Sequence, residues 1–205
     1  GVAPLNVAGA AGYTGTTTVN GDALVTTLST MPLGDLSDAE RDALLYMREE
    51  EKLAYDVYVA LGDVWGTQVF SNIADAERTH TDSVKVLLDR YGITDVTTSG
   101  AAGVFTDPKL QELYDQLVAT GTTSLVDALS VGATIEDVDI ADLRARATDN
   151  PDIQLVYDNL EKGSRNHLRA FVRQLSKNDA TYTPTYISDA DFDAIVDSPA
   201  ERGHG

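Results

Sequence analysis

Cysteine is absent from the 205 residues, so neither a disulfide framework nor a thiolate metal site can form. Histidine is nearly absent: three in the chain cannot build a His-rich zinc site. No apolar run approaches the roughly 18 residues that a membrane helix needs. Glycine-rich phosphate loops and nucleophile elbows are missing as well. Positive charge is scarce. Lys and Arg total 15 against 33 Asp and Glu, a formal net charge of −18, with Asp far outnumbering Glu. Such a surface repels the phosphate backbone, so no nucleic-acid partner is expected. It also keeps a protein soluble in concentrated salt, which reads as halophilic adaptation. The chain begins without methionine at "GVAPLNVAGAAG", which reads as the product of leader removal and gives an expectation of export, to the exterior or the cell surface.

What remains is ordinary globular material, 42% apolar and 23% charged, enough for one domain with a sizeable core. Residues 1–32 are rich in Gly, Ala, Thr and Val and almost free of charge, which suits an extended arm better than a helix. An arm of this kind cannot fold alone, and docking onto a neighbouring subunit of a homo-oligomer would hold it.

From residue 33 the punctuation is helical. Ser37 and Glu40 form a capping box ahead of "DAERDALLYMREEEKLAYDVYVALGDVW", which ends at Gly66. A second helix spans about 67–90. After a loop, Asp107 and Pro108 open a short helix that stops at Gly121, followed by a third long helix over about 124–147. Pro151 starts the fourth, which runs to about 176. The pattern predicts an all-α four-helix bundle over 33–178 with a short crossover helix between the second and third long helices, and a C-terminal extension over 179–205.

Each long helix has an apolar stripe broken by polar residues. On the second, Ile73, Glu77, His80, Val84 and Leu87 follow one another at intervals of three and four. Glu51 interrupts the stripe of the first helix, Glu136 and Asp139 that of the third, Ser164 and His167 that of the fourth. An unpaired ionised group on a buried face costs several kcal/mol. The interruptions all fall near the helix midpoints, at about 50, 79, 135 and 164, so an antiparallel bundle brings them into one layer. Carboxylates and neutral imidazoles converging in a dry core suit a divalent transition metal, or a pair of them, because the cations offset the buried charge. The alternatives are plainer: a buried Glu77–His80 ion pair, His167 as a hydrogen-bonded core histidine, Asp139 accepting Arg165, and Ser164 as a small residue at a close helix contact. Glu49 and Glu50 read as a solvated face, and His204 as a tail residue.

The same residues carry a resemblance. "Glu-x-x-His" on the second helix and Glu51 on the first are similar to ferritin-like di-iron carboxylate proteins, and "FSNIADAERTH" resembles the second helix of rubrerythrins. "LLYMREEEKLAYDVY", "LQELYDQLV", "SLVDALSVGATIEDVDIADL", "GSRNHLRAF" and "YTPTYISDADFDAI" together resemble the DUF2202 family over roughly residues 33–200. That resemblance implies a ferritin-like fold and a di-metal site, with iron foremost and manganese or zinc as substitutes. Glu51, Glu77, His80, Glu136 and His167 match its ligands. Ser164 stands where a further carboxylate is expected, which weakens the case for a symmetric di-iron pair and leaves a mixed, mononuclear or vestigial site open; Asp139, one turn beyond Glu136, is the candidate replacement.

Two functions follow. One is a metalloprotein with oxidase, peroxidase or metal-storage chemistry, in which Tyr58 is either an electron donor or a hydrogen-bonded core aromatic. The other is an extracellular structural or filament-type assembly subunit whose arm docks by strand addition and whose metal is stabilising or vestigial. Acidic loops at "TDNPD" and "SDADFDAIVD" offer oxygen ligands for calcium without matching the EF-hand pattern.

Overall fold

A computed structural model describes residues 21–97 and 100–202. Among them are seven helices and no strand: α1 Gly21–Ser29, α2 Asp38–Trp65, α3 Gln68–Arg90, α4 Pro108–Gly121, α5 Leu125–Ala145, α6 Pro151–Lys177 and α7 Asp189–Asp197. The described residues are therefore all-α, as the periodicity predicts. Residues 1–20 of the arm and His204 lie outside the described residues.

The helix ends follow local chemistry. Ser37 accepts from the Glu40 amide while Glu40 returns a carboxylate to the Ser37 amide at 2.9 Å, a reciprocal cap worth about 1 kcal/mol. Gly66 ends α2 in the left-handed conformation, φ 62°, which turns the chain directly into α3. Asp107 caps α4 through the amides of Lys109 and Leu110, and Pro108 and Pro151 occupy first turns, where a missing N–H costs nothing.

Four long helices pack side by side, and their contacts fix the directions. Between α2 and α3, Arg48 meets Thr81 and Gly62 meets Phe70. Between α2 and α5, Tyr46 meets Asp142 and Tyr58 meets Gly132. Between α5 and α6, Gly132 meets Phe171 and Arg144 meets Glu161; between α3 and α6, His80 meets Gly163 and Arg90 meets Asp152. In every pair the number falls on one helix as it rises on the other, so all four neighbours run antiparallel.

The apolar core is split in two. One cluster holds Leu53, Val57, Tyr58, Leu61, Phe70 and Phe171 among others. The other holds Leu44, Met47, Val84, Leu87, Val156 and Leu160. In α2, α3 and α6 the polar stripe residues lie between the two clusters, and in α5 Glu136 and Asp139 lie between Leu129 of the first and Leu143 of the second, at a level where burial would normally demand apolar side chains.

Part of the arm is not extended. Residues 21–29 are α1, whose Leu24 and Leu28, four apart on one helical face, are buried in the second cluster. Burial of that pair outweighs the strand preference of its Val and Thr. The acidic segment "SDADFDAIVD" is likewise a helix rather than a calcium loop. Ser188 caps it by accepting from the Asp191 amide, and Phe192 and Ile195 are buried. In "TDNPD", Asp152 is buried and already taken by Arg90 Nε at 2.8 Å and the Tyr91 hydroxyl at 2.9 Å.

The crossover and the C-terminal extension are tied to the bundle by buried polar groups. Glu49 accepts from the amides of Thr106 and Asp107 at 2.6 and 2.9 Å. Lys52 reaches Asp56 at 2.5 Å and the Ala101 carbonyl at 2.9 Å. Asp137 accepts from the Tyr182 hydroxyl and the amides of Thr185, Tyr186 and Ile187. None of the described helices is long and apolar enough to cross a membrane.

Candidate metal centre

All six candidate ligands are buried, Glu51 on α2, Glu77 and His80 on α3, Glu136 and Asp139 on α5 and His167 on α6, as is Ser164, the seventh residue that breaks a stripe. The α-helical turn places Glu77 and His80 on one face, so both side chains enter the layer from α3. Nδ1 of His80 lies 2.9 Å from Oε2 of Glu77 and 3.3 Å from Oε2 of Glu51. Nδ1 of His167 lies 2.7 Å from Oε1 of Glu77 and 3.4 Å from Oε2 of Glu136. The two imidazoles stack with centroids 5.5 Å apart. Glu77 thus stands between the histidines and presents one oxygen to each.

Gly163 makes room for this arrangement. A Cβ there would sit 2.5 Å from Nε2 of His80, so α6 approaches closely enough to hold the ring with Nδ1 toward the carboxylates. On the other side, the Tyr58 hydroxyl donates to Oε1 of Glu136 at 2.5 Å from within a nest of Phe70 and Phe171. Its hydroxyl is held well protonated by burial and by Glu136 beside it. Tyr58 therefore fills the role of a hydrogen-bonded core aromatic.

The protonation pattern follows from burying carboxyl and imidazole groups side by side. Burial pushes Glu51 up to about 8, against the pull of His80. Burial, then the neighbouring Glu51, raises Asp139 well above the carboxylate range, and burial raises Glu136 too. Burial acts the same way on Glu77, but the two imidazoles override it and hold that carboxyl far below its ordinary value. Burial would lower both histidines. The carboxylates reverse that, taking His167 up to about 9 and His80 well above its usual range.

Several of these atoms have no hydrogen-bond partner: Oε1 of Glu51, Oε1 of Glu77, Oδ1 of Asp139 and Nδ1 of His167. The last is notable, because Nδ1 of His167 and Oε1 of Glu77 are 2.7 Å apart without the angles of a hydrogen bond. Nδ1 of His80 does hydrogen-bond Oε2 of Glu77 at 2.9 Å, but the four unpaired atoms crowd the same layer, as ligands aimed at a shared point would. Two groups among the described residues, Glu51–Glu77–His80 and Glu77–Glu136–His167, each bring their ligand atoms within 4.8 Å of one another. They share Glu77. Oxygen-rich sets with one imidazole each suit iron, manganese or zinc, so these buried groups could hold a metal ion.

Asp139 joins neither group. The Ser164 hydroxyl hydrogen-bonds Oδ2 of Asp139 and lies 3.0 Å from the Leu160 carbonyl, so a side chain of α6 orients the carboxyl group of α5. Arg165 does not reach Asp139; it pairs with Glu161 at 2.5 Å and with Glu201 at 2.7 Å.

Two neighbours on α2 overturn the expectation of a solvated face. Glu49 and Glu50 are each only 3% exposed. Glu49 is covered by the crossover chain it binds, a contact some sixty residues distant that no local pattern reveals. Glu50 had a legible signal. From Met47 to Ala54 the stripe can step three then four through Glu50 as well as four then three through Glu51, and both residues are buried.

The comparisons agree with this architecture. Residues 40–199 match the family model described as "Uncharacterized protein domain (DUF2202)". Uncharacterized protein MJ0754 of Methanocaldococcus jannaschii is 53% identical over 178 residues, which cover 86% of this chain and 96% of that protein. The crystal structure of that hypothetical protein superposes with a TM-score of 0.82, covering 83% of this chain and 99% of the other. With the family model spanning most of its length and a relative this similar, the chain belongs to the DUF2202 family.

Proposed function

We propose that this protein binds a pair of divalent transition-metal ions in a ferritin-like four-helix bundle, with Glu77 bridging them. The observation that carries the reading is the sharing of Glu77 by two buried three-ligand groups, one closed by Glu51 and His80, the other by Glu136 and His167. Charge supports it. Glu51, Glu77, Glu136 and Asp139 bring four negative charges into the layer, which two divalent cations balance, and neutral imidazoles then serve as ligands. The antiparallel long helices, with the α4 crossover between α3 and α5, support the ferritin-like assignment.

Iron is the metal we assign, with manganese as the nearest substitute, because the donors are mainly carboxylate oxygens. Five protein side chains, with Glu77 shared, leave open positions on two ions, which suits oxidase or peroxidase chemistry on a small oxidant, or metal storage. Ser164 in place of a carboxylate makes the two positions unequal, and Asp139 supplies the missing charge.

The test is elemental analysis of protein purified without added metal, as moles of Fe, Mn and Zn per chain, followed by reconstitution and assays with O2 and peroxide. About two equivalents per chain are expected by analogy with paired-metal sites. Folded protein that stays metal-free after reconstitution would overturn the proposal.

A further inference from the structure

We propose that Glu50 is a cation-transit site that passes divalent ions from an acidic basin between α2 and α5 to the metal centre. This rests on the metal-binding reading above. Both carboxylate oxygens of Glu50 lie buried with no N–H or hydroxyl donor on them and another carboxylate, Asp142, as their polar neighbour, although an apolar residue would fit this level of the core without that cost. The side chain leaves α2 next to Glu51 but faces α5, where Asp139 and Asp142 are its foremost charged neighbours. Asp139 in turn has Glu51 as its foremost charged neighbour and keeps Oδ1 without a partner. Asp142, Glu50, Asp139 and Glu51 therefore follow one another as neighbouring carboxylates from the surface to the centre.

The outer end is open. Asp142 is half-buried and lines a basin of about 620 Å³ together with Tyr46, Asp42, Asp107 and Arg146. At roughly 30 Å³ of liquid volume per water, that space accommodates a hydrated divalent ion. The Tyr46 hydroxyl donates to Oδ2 of Asp142 at 3.2 Å, and Arg146 pairs with Oδ1 at 2.7 Å while its guanidinium lies 4.2 Å from the Tyr46 ring centroid. Arg146 also faces Glu50 and is the cation that balances the mouth. An arriving ion competes with it for Asp142.

The spacing favours passage over trapping. Among the described residues, only the two groups of the centre bring three ligand atoms within 4.8 Å of one another, so Glu50 and its aspartates form no compact third site. Conduction needs binding strong enough to draw an ion in and weak enough to release it, and a row of separated carboxylates provides that.

The experiment is stopped-flow loading of Co2+ into the metal-free full-length protein, read by visible absorption, with final Co2+ per chain measured separately. Glu50→Gln keeps the shape and removes the charge. It is expected to slow loading by about tenfold, the scale of local electrostatic focusing, with final occupancy unchanged. Asp142→Asn, at the half-exposed mouth, is the second variant and is expected to slow loading severalfold. Wild-type loading rates in both variants would overturn the proposal. So would a lost equivalent of Co2+ in Glu50→Gln, which would make Glu50 a ligand. If the wild-type chain takes up no Co2+, the metal-binding reading itself fails, a result distinct from an unchanged rate.

Discussion

Glu77 presents Oε2 to His80 and Oε1 to His167, at 2.9 and 2.7 Å from their Nδ1 atoms, so one carboxylate serves both halves of the centre. Removing it is therefore expected to cost more than removing either outer glutamate. Glu77→Ala should retain neither ion, whereas Glu51→Ala and Glu136→Ala should each keep one. Metal per chain after dialysis measures the difference, with circular dichroism as the check that the helices survive. Two ions bound to Glu77→Ala would refute the bridge.

Metal affinity should rise with pH. In the metal-free protein Glu51 is raised to about 8 and His167 to about 9, so both carry protons at neutrality, and a cation must displace them. Uptake at pH 7 should release protons into a weakly buffered indicator solution, and the apparent affinity should climb until the pH passes about 9. An affinity that is flat between pH 6 and 9 would mean that these groups are not ligands.

The same shifts fix the sign of the stability change. His167 is raised from an ordinary 6.5, so its contribution is complete below that value and is lost as pH rises through about 9. Glu51 is raised from 4.5 to about 8, so its proton also favours the fold most at low pH, and that advantage drains away over this window. Glu77 is depressed and loses its contribution only in strong acid. Metal-free protein should consequently melt at lower temperature at pH 9 than at pH 7, and metal-loaded protein should show a much smaller drop. Calorimetry across that range reads both.

Gly163→Ala should strain the half of the centre that contains His80. The added methyl would meet Cε1 and Nε2 of the ring at 2.5 Å, and the imidazole has Glu51 and Glu77 on its other side. Overpacking of this kind costs about 1–3 kcal/mol, measurable by urea unfolding. Metal at the Glu51–Glu77–His80 position should weaken, while the position on Glu136 and His167 is retained. Equal loss at both positions would show that the substitution disturbs the whole bundle.

Local chemistry made the helices legible. The Ser37–Glu40 box, Gly66, Asp107 and the prolines at 108 and 151 act within a turn of themselves, so their effect can be read without the fold. The site layer was legible for a different reason: in antiparallel helices of similar length, polar breaks at the midpoints of apolar stripes must meet. Glu50 is ambiguous in the sequence because two paths of helical spacing join Met47 to Ala54, one through Glu50 and the other through Glu51. Helix α1 escaped because its composition favours strand and only tertiary burial of Leu24 and Leu28 reverses that. Glu49 and Lys52 are buried by a crossover chain about fifty residues away, a long-range fact with no local trace.

The central claim is that two ions flank Glu77, and anomalous scattering tests it most directly. Crystals of protein loaded with manganese or cobalt would be measured on both sides of the metal's absorption edge. The expected result is a pair of peaks, one between Glu51, Glu77 and His80 and the other between Glu77, Glu136 and His167, about 3.5–4 Å apart as in two-metal sites generally. A loaded crystal with no peak beside Glu77 would contradict the claim.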